Sequence, residues 1–272
     1  MPAPPPTGPL VTRDTLAAGL RLLGVESGET LLVHSSLSSL GWVNGGAVAV
    51  VQGLLDALGP RGTLVVPTQT GDQSDPAGWR NPPVPEEWWD RIRATMPPYD
   101  PLVTPSLGVG VVPETVRTWP GALRSAHPQT SFAALGPRAR EITEGHAPDC
   151  RLGEASPLAK LEKLGARVLL LGAGYDSCTA FHLAEYRIPA PRVQVGRPAR
   201  GGGGWETVVE VSITSDRFDE LGHDFERDRP VVRGRVGGAE ARLFPVADAV
   251  AYAERWLGLH RPRQEGFPHP PV

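Results

Sequence analysis

Residues 29–68, "ETLLVHSSLSSLGWVNGGAVAVVQGLLDALGPRGTLVVPT", contain the pattern that decides the fold. An apolar run ends in small polar residues, a helical segment closed by Gly-Pro follows, and "TLVVPT" is a second apolar run. This order of strand, helix and strand is typical of parallel strands in a sheet that is covered on both faces. Because a right-handed crossover brings the polar ends of both strands to one edge, we expect residues 34–36 to lie near residues 68–70.

The other periodic segments of the chain predict an α/β protein around this unit. "TRDTLAAGLRLLGV" is an amphipathic helix that Thr12 or Asp14 is expected to cap and Gly24 to end. An antiparallel pair of strands is expected on the two sides of the glycines at 201–204. Further elements are predicted as helices over residues 108–119, 156–165 and 245–258 and as strands over residues 131–136 and 166–174.

Composition predicts an ordinary globular protein with a single domain over residues 11–260. Apolar residues make up 40% of the 272, and charged residues 21%. Residues 1–10 are expected to be a disordered, proline-rich lead, and residues 261–272 a frayed tail.

Charge and the lack of special segments exclude several classes of protein. The net charge of −3 is far from the basic footprint of a nucleic-acid-binding protein, and it is compatible with a cationic substrate. Neither a signal peptide nor an apolar run long enough to span a membrane is present, so a cytoplasmic protein without membrane contact is expected. Two cysteines form neither a disulfide framework nor a zinc motif, and no metal is expected.

The stretch "LLLGAGYDSCTAFHLAEY", residues 169–186, concentrates polar side chains after an apolar strand. A dinucleotide-binding loop is one interpretation, although the third glycine is absent and Asp176 would direct a carboxylate towards a pyrophosphate. A thiol nucleophile is a second interpretation, because Cys178 lies four residues before His182. Against it, side chains four residues apart on a helix lean in the same direction, and cysteine is often simply buried.

A histidine base is the third interpretation of this stretch. Asp176 or Ser177 is expected to cap a helix on which His182 and Glu185, three residues apart, share a face. A carboxylate on one imidazole nitrogen fixes the tautomer and raises the basicity of the other nitrogen, and Asp176 is also placed to reach the ring. The same spacing is found on surface helices that carry a histidine and a glutamate without any function.

Three other segments carry polar groups that suit an anionic or cationic ligand. In "RSAHPQTSF", Arg124 and His127 are expected to contact a phosphate, and Ser125 or Ser131 to donate a hydrogen bond; an ordinary polar loop is the alternative. In "HSSLSSLG", residues 34–41, backbone amides after a strand are free to meet an anion, or the segment is a plain strand-to-helix turn. The long segment 71–105 is expected to be a lid or binding loop. Its acids, among them Asp72, Glu86 and Glu87, attract a polycation or simply face solvent.

Taken together, four of these motifs resemble a known family. "LLVHSSLSSLGWVNGG", "GPRGTLVVPTQT", "RSAHPQTSFAALGPRA" and "LLLGAGYDSCTAFHLAE" follow one another in the order and spacing of the aminoglycoside 3-N-acetyltransferases. This antibiotic N-acetyltransferase family is distinct from the GNAT fold. The likeness extends from about Thr12 to about Leu257, which is nearly the whole of the predicted domain.

The resemblance implies a fold, a co-substrate and an acceptor. The fold is a three-layer α/β architecture with a mixed, largely parallel central sheet. Acetyl-CoA supplies the acetyl group, and the acceptor in resistance members is the 3-amine of the deoxystreptamine ring of an aminoglycoside. A homodimer is compatible with the sequence, which carries no signal that fixes the oligomeric state.

The resemblance also implies roles for particular residues. His182 is the base of the motif G-x-D-x-x-T-x-x-H-x-x-E, and Asp176, Thr179 and Glu185 support it. Thr179 or backbone amides supply donors to the oxyanion that forms on the thioester. Cys178 departs from the asparagine common at its position, and the family works without a thiol nucleophile. The residues implied to line the coenzyme site are His34, Ser35, Ser36 and Leu37 after the first strand and Arg124 and Ser125 in the later loop.

Two alternatives to aminoglycoside acetylation are open at this point. The first is a transferase of the same fold that acetylates another amine, such as a biosynthetic intermediate, because the acceptor is set by the variable segment 71–105. The second is a ligand-binding protein that has lost the chemistry. The intact set of Asp176, Thr179, His182 and Glu185 favours an enzyme.

Overall fold

The computed structural model describes residues 8–199 and 204–261. Most of the predicted lead, the tip of the predicted hairpin at 201–203 and the predicted tail from 262 onward lie outside these residues. The helices are α1 (Arg13–Leu23), α2 (Gly46–Leu58), α3 (Trp89–Thr95), α4 (Val111–Arg117), α5 (Ala139–Thr143), α6 (Pro157–Lys163), α7 (Phe181–Glu185), α8 (Phe218–Asp228) and α9 (Val246–His260). The strands are β1 (Thr30–Ser35), β2 (Thr63–Pro67), β3 (Leu123–Arg124), β4 (Phe132–Leu135), β5 (Arg167–Leu171), β6 (Arg192–Pro198), β7 (Trp205–Val211), β8 (Val232–Val236) and β9 (Ala239–Pro245).

The central sheet is mixed, as predicted, and its parallel strands lie in the middle. Its strand order is β3-β4-β2-β1-β5-β9-β8. The strand β1 pairs in parallel with both β2 and β5, with Leu31 opposite Leu64 and Val33 opposite Leu169. The flanking pairs β2–β4, β3–β4, β5–β9 and β8–β9 are antiparallel. The three parallel strands therefore end at one edge, where open α/β sheets bind ligands.

Both faces of the sheet are covered, which explains why its central strands are apolar without interruption. In β1, Leu31 and Val33 point to one core and Leu32 to the other. The helices α1, α2 and α4 cover the first face, and α5, α6, α7, α8 and α9 the second. Burying a side chain of this size contributes about 1.5–3 kcal/mol, so this three-layer packing supplies most of the drive to fold.

The ends of α1 follow from its sequence, as predicted. The Thr12 side chain accepts a hydrogen bond from the backbone amide of Thr15, and Gly24 ends the helix with a φ of 102°. An N-cap of this kind stabilises a helix by about 1 kcal/mol. The apolar side of α1 packs against α2 and holds the first layer together.

One prediction about local structure was wrong. The helix that carries His182 begins only at Phe181 and is not capped by Asp176 or Ser177, because a separate 3-10 turn at Tyr175–Ser177 precedes it. The segment 71–105, predicted as a lid or binding loop, contains the short helix α3 and two 3-10 turns.

The predicted antiparallel pair is β6–β7, a two-stranded sheet beside the main one. A group of buried charges, here called the hairpin cluster, joins it to the main domain. Glu210 of β7 is fully buried, and its carboxylate lies 2.5 Å from Arg151 Nε, 3.6 Å from Arg197 Nη1 and 3.7 Å from His127 Nε2. The chain continues from β7 directly into residues 212–215.

The length and apolar character of the described helices can be compared with those of a membrane-spanning helix. In residues 8–199 and 204–261, none of them combines the length and the apolar character that a membrane span requires.

Candidate active site

A cleft of about 690 Å³ lies at the carboxyl ends of the three parallel strands. Its walls are formed by residues 34–38 at and after the end of β1, by Pro67 and Gln69 at and after the end of β2, and by several residues after β5, among them Thr179 and His182. The segment 108–113 and Ser215 complete it. The prediction that residues 34–36 lie near residues 68–70 is confirmed for the two strand ends, because Gln69 lines the cleft together with residues 34–36. Thr68, in contrast, turns away from the cleft.

Gly172 allows the chain to turn sharply as it leaves β5. Its φ is 68°, and a Cβ at this position would lie 2.5 Å from Ser39 Cβ. The Ser39 hydroxyl donates to the Gly172 carbonyl oxygen at 3.1 Å, and the Ser36 amide donates to Leu171 at 3.0 Å. The loops after β1 and β5 are thereby held against each other, and together they form the floor of the cleft.

His182 and Glu185 form the predicted pair. They are three residues apart on α7, and His182 Nδ1 lies 2.5 Å from Glu185 Oε2. Glu185 is fully buried, whereas His182 is 12% exposed and lines the cleft. Since a carboxylate only accepts, the proton of the neutral ring is on Nδ1, and Nε2 is the nitrogen with a free lone pair. The ring also packs against Phe218, with centroids 4.8 Å apart.

Glu185 is held by two partners besides His182. Its Oε1 accepts a hydrogen bond from the Thr214 amide at 3.0 Å and another from the Arg261 guanidinium. Arg261 also donates to the Thr214 carbonyl oxygen at 2.8 Å. A buried carboxylate with three donors keeps its position, so the imidazole that it orients is fixed as well.

Thr179 is close to the base and is shared with a second histidine. Its Oγ1 lies 3.3 Å from His34 Nε2, and both residues line the cleft. Burial, and then the nearby His182, lower the pKa of His34 to about 3. The His34 ring is therefore neutral at physiological pH.

Asp176 lies away from the imidazole that the sequence suggested it would reach, whereas Cys178 is buried, as expected when a thiol is not the nucleophile. Asp176 is exposed in the cleft wall, where its side chain accepts from Ser177 at 3.4 Å, and Glu185 instead occupies Nδ1 of the imidazole. Cys178 is fully buried, and this burial raises the pKa of its thiol to about 12. A thiol of that acidity is a poor nucleophile near neutral pH.

The four residues predicted after β1 all line the cleft. His34, Ser35, Ser36 and Leu37 follow one another along its wall. In the described part of the chain, the Ser35 hydroxyl is buried without a hydrogen-bond partner. A buried polar atom in a cleft wall suits a ligand that carries its own donors and acceptors.

Arg124 and Ser125 do not come to the cleft. The Arg124 guanidinium lies inside the sheet edge, where Nε donates to Thr68 Oγ1 and Ser131 Oγ and Nη2 donates to the Thr68 carbonyl oxygen at 2.7 Å. Ser125 is fully buried and lies 3.0 Å from His146 Nδ1. Their hydrogen-bonding groups serve the packing of β2, β3 and β4, and the expectation that Arg124 binds a phosphate has no support in this geometry.

The acids predicted to attract the substrate are exposed on the segment before α3. Asp72, Glu86 and Glu87 lie outside the cleft lining, in which Asp176 is the carboxylate. Two other acids of the segment, Asp75 and Asp90, are paired with Arg93 at 2.8 and 3.0 Å.

Sequence reasoning missed several residues of the site. The apolar and glycine-rich segment 108–113 forms one wall, although it was predicted only as the start of a helix. Ser215, Thr214 and Arg261 reach the site from segments that carry no recognisable motif. The one available signal was the position of Gly108 and Gly110 immediately before α4, a pattern typical of a loop that approaches a ligand closely.

Replacing Arg261 with methionine is expected to lower kcat by about tenfold, because Glu185 loses one charge-assisted hydrogen bond and orients His182 less firmly. Arg255→Met, at an exposed position of α9, the helix that Arg261 follows, is the matched control. Steady-state kinetics of both variants at saturating substrates provide the measurement. Equal kcat values for Arg261→Met and Arg255→Met would show that Arg261 does not support the site.

The sequence and the fold match proteins of known family. The family profile described as aminoglycoside 3-N-acetyltransferase matches residues 32–258. The SPbeta prophage-derived aminoglycoside N(3')-acetyltransferase-like protein YokD of Bacillus subtilis (strain 168) is 47% identical over 90% of this chain and 92% of the relative. Its crystal structure has a TM-score of 0.91 at 45% identity, covering 93% of this chain and 96% of that one.

Two further matches bear on the chemistry. Aminoglycoside N(3)-acetyltransferase VIII of Streptomyces fradiae is 37% identical, covering 91% of this chain and 92% of the relative. The structure of AAC-IIIb in binary complex with CoASH has a TM-score of 0.78 at 33% identity, covering 92% of this chain and 97% of that one.

Proposed function

Because the chain belongs to the aminoglycoside 3-N-acetyltransferase family, we propose that it transfers the acetyl group of acetyl-CoA to the 3-amino group of the deoxystreptamine ring of an aminoglycoside. Such a transfer removes a positive charge from the drug and gives resistance. The observation that carries the proposal is the contact of 2.5 Å between His182 Nδ1 and Glu185 Oε2 in the wall of the cleft.

His182 acts as the general base in a direct transfer. The amine nitrogen attacks the thioester carbonyl carbon, and the π electrons of the carbonyl move to its oxygen. His182 Nε2 takes the proton that the nitrogen loses. As the carbonyl re-forms, the carbon–sulfur bond breaks, and the thiolate leaves and receives that proton. An imidazole titrates close to neutral pH in model peptides and suits this exchange in both directions.

Glu185, Thr179 and Asp176 support the transfer in different ways. Glu185 keeps the imidazole in the tautomer with Nε2 free, and its charge stabilises the imidazolium that forms during the reaction. Thr179, one turn before His182, provides a hydroxyl for the oxygen on which negative charge develops. Asp176 lines the cleft and attracts the protonated amines of the acceptor.

The coenzyme is proposed to bind along residues 35–38. Ser35 and Ser36 supply hydroxyl groups and Leu37 an apolar contact, and the volume of about 690 Å³ accommodates part of a coenzyme together with an acceptor. The exposed Asp72, Glu86 and Glu87 contribute to a negative field that attracts a polycation before it reaches the cleft.

The direct test is free-thiol release from acetyl-CoA with a panel of deoxystreptamine aminoglycosides, linear polyamines and simple monoamines. We expect release with the aminoglycosides, and product NMR should place the acetyl group on the 3-nitrogen. Faster turnover of a simple amine than of every aminoglycoside would favour the alternative of a transferase with another acceptor. Binding of acetyl-CoA without transfer to any amine would favour a ligand-binding protein.

A further inference from the structure

His34 is a buried residue of the cleft wall that the proposed mechanism does not use. It is the fifth residue of β1 and is 4% exposed. Its Nε2 lies 3.3 Å from the hydroxyl of Thr179, a residue 145 positions away in the chain. The pairing of β1 with β5 makes this contact possible, because β5 leads through Gly172 and the 3-10 turn to Thr179.

The proton on the His34 ring decides what the Thr179 hydroxyl can do. A neutral imidazole carries one proton, either on Nδ1 or on Nε2. If Nε2 is bare, Thr179 donates its only hydroxyl proton to His34 and has none for a substrate. If Nε2 carries the proton, His34 donates to Thr179 Oγ1, and the threonine proton is free to point into the cleft. The second form is the tautomer that neutral imidazole favours.

The position of Thr179 gives this free proton a use. Thr179 and His182 are three residues apart and line the same cleft, so a hydroxyl donor and a free imidazole nitrogen face one volume. During attack on a thioester, negative charge develops on the carbonyl oxygen next to the carbon that the amine approaches. A donor held in place before the reaction stabilises this charge without reorganisation.

We propose that His34 is a positioning residue, which donates from Nε2 to Thr179 Oγ1 and so directs the threonine hydroxyl proton to the thioester carbonyl oxygen. The proposal rests on the acetyl transfer proposed above and gives His34 a different task from the coenzyme contact that the sequence suggested. His34 itself touches neither substrate. It remains neutral throughout, and no proton passes through it.

The first test is the tautomer of His34, which does not depend on activity. In protein with ¹⁵N-labelled histidine, long-range ¹H–¹⁵N spectra distinguish a protonated from a bare ring nitrogen, and the signals that disappear in His34→Gln identify the residue. We expect a neutral ring with the proton on Nε2 between about pH 5 and 9. A proton on Nδ1 instead would overturn the proposal, whether or not the enzyme acetylates the acceptors tested.

The second test separates positioning from coenzyme binding. His34→Met removes the donor at similar size, and we expect kcat to fall about tenfold to a hundredfold with little change in the KM for acetyl-CoA. His34→Gln keeps an N–H donor and should recover most of that loss. His223→Gln, an exposed histidine on α8, is the control and should match the parent.

A double-mutant cycle tests whether His34 acts through Thr179. If His34 acts through Thr179, the combination of His34→Met with Thr179→Val should be no slower than Thr179→Val alone. Independent, multiplying losses would overturn the proposal, as would a raised KM for acetyl-CoA at unchanged kcat in His34→Met. Absence of transfer by the parent would count against the proposed function, and the tautomer would then decide the role of His34.

Discussion

Replacing His182 with alanine is expected to lower kcat by about 10²–10⁴-fold, the range found when a well-positioned base is removed. The amine then has to lose its proton to water, while the thiolate loses the acid that protonates it. Binding of acetyl-CoA should persist, because the proposed coenzyme wall at residues 35–38 is untouched. Kinetic measurements would give the rate of acetyl transfer, and calorimetry would give the affinity for acetyl-CoA. A variant that keeps more than a tenth of the parental kcat would exclude His182 as the base.

Cys178→Ala is the matched control for this loss, since it changes a neighbouring residue that the proposed direct transfer does not use. Most activity should remain, because the thiol is fully buried. Mixing the parent with labelled acetyl-CoA in the absence of acceptor, followed by mass measurement of the denatured protein, should show no adduct. An acetyl group on Cys178 together with an inactive Cys178→Ala variant would replace direct transfer by a two-step thiol mechanism.

The central part of the fold was predictable because its local signals agree with its tertiary structure. The strands β1, β2 and β5 are buried on both faces, so they appear in the sequence as continuous apolar runs. Gly24 and the Gly-Pro pair after α2 mark helix ends in the ordinary way. The pair of His182 and Glu185 was predictable as well, because spacing alone places both on one face of a helix.

The edge of the sheet was not predicted, and its composition explains why. The edge strand β8 alternates charged residues such as Arg233 and Arg235 with small apolar ones, as an exposed edge requires, and its neighbour β9 carries Glu240 among small apolar residues. The Gly237-Gly238 turn between them, where Gly237 has a φ of 58°, was a hairpin signal that the sequence did contain.

The partners of individual side chains were beyond the reach of sequence reasoning. Arg124 and Arg261 both lie near polar residues, but their partners differ. Arg124 is enclosed by Thr68 and Ser131, whereas Arg261 contacts Glu185, which is 76 positions away in the chain. Which acceptors an arginine meets depends on the direction of its side chain and on the packing of distant segments. The motif around Arg124 contains no information about the direction of its side chain or about the distant segments that pack against it.

Glu210→Gln is expected to lower the free energy of unfolding by about 3–5 kcal/mol, the usual cost of removing one partner from a buried ion pair. Glutamine keeps the size of the side chain, removes its charge and replaces one acceptor oxygen with an NH2 donor. Arg151 and Arg197 then lose the buried carboxylate between them, and an arginine cannot shed its proton to compensate. Equilibrium unfolding in urea, with the slope compared between variants, would measure the loss.

Glu206→Gln provides the control because it lies on the same strand and contacts the same Arg197, at 2.6 Å, from a position that is 35% exposed. Arg197 is buried, but it keeps Glu210 when Glu206 is replaced, so Glu206→Gln should cost less than Glu210→Gln. The difference between the two variants reports the effect of burying the carboxylate. The hairpin cluster also affects the candidate active site, because β7 leads into Thr214 and Ser215. The Thr214 amide holds Glu185, and Ser215 lines the cleft. For Glu210→Gln, we therefore expect activity and structure to be lost together at a lower urea concentration than in the parent. Equal stabilities of the two variants would show that the charges of the hairpin cluster are hydrated in solution.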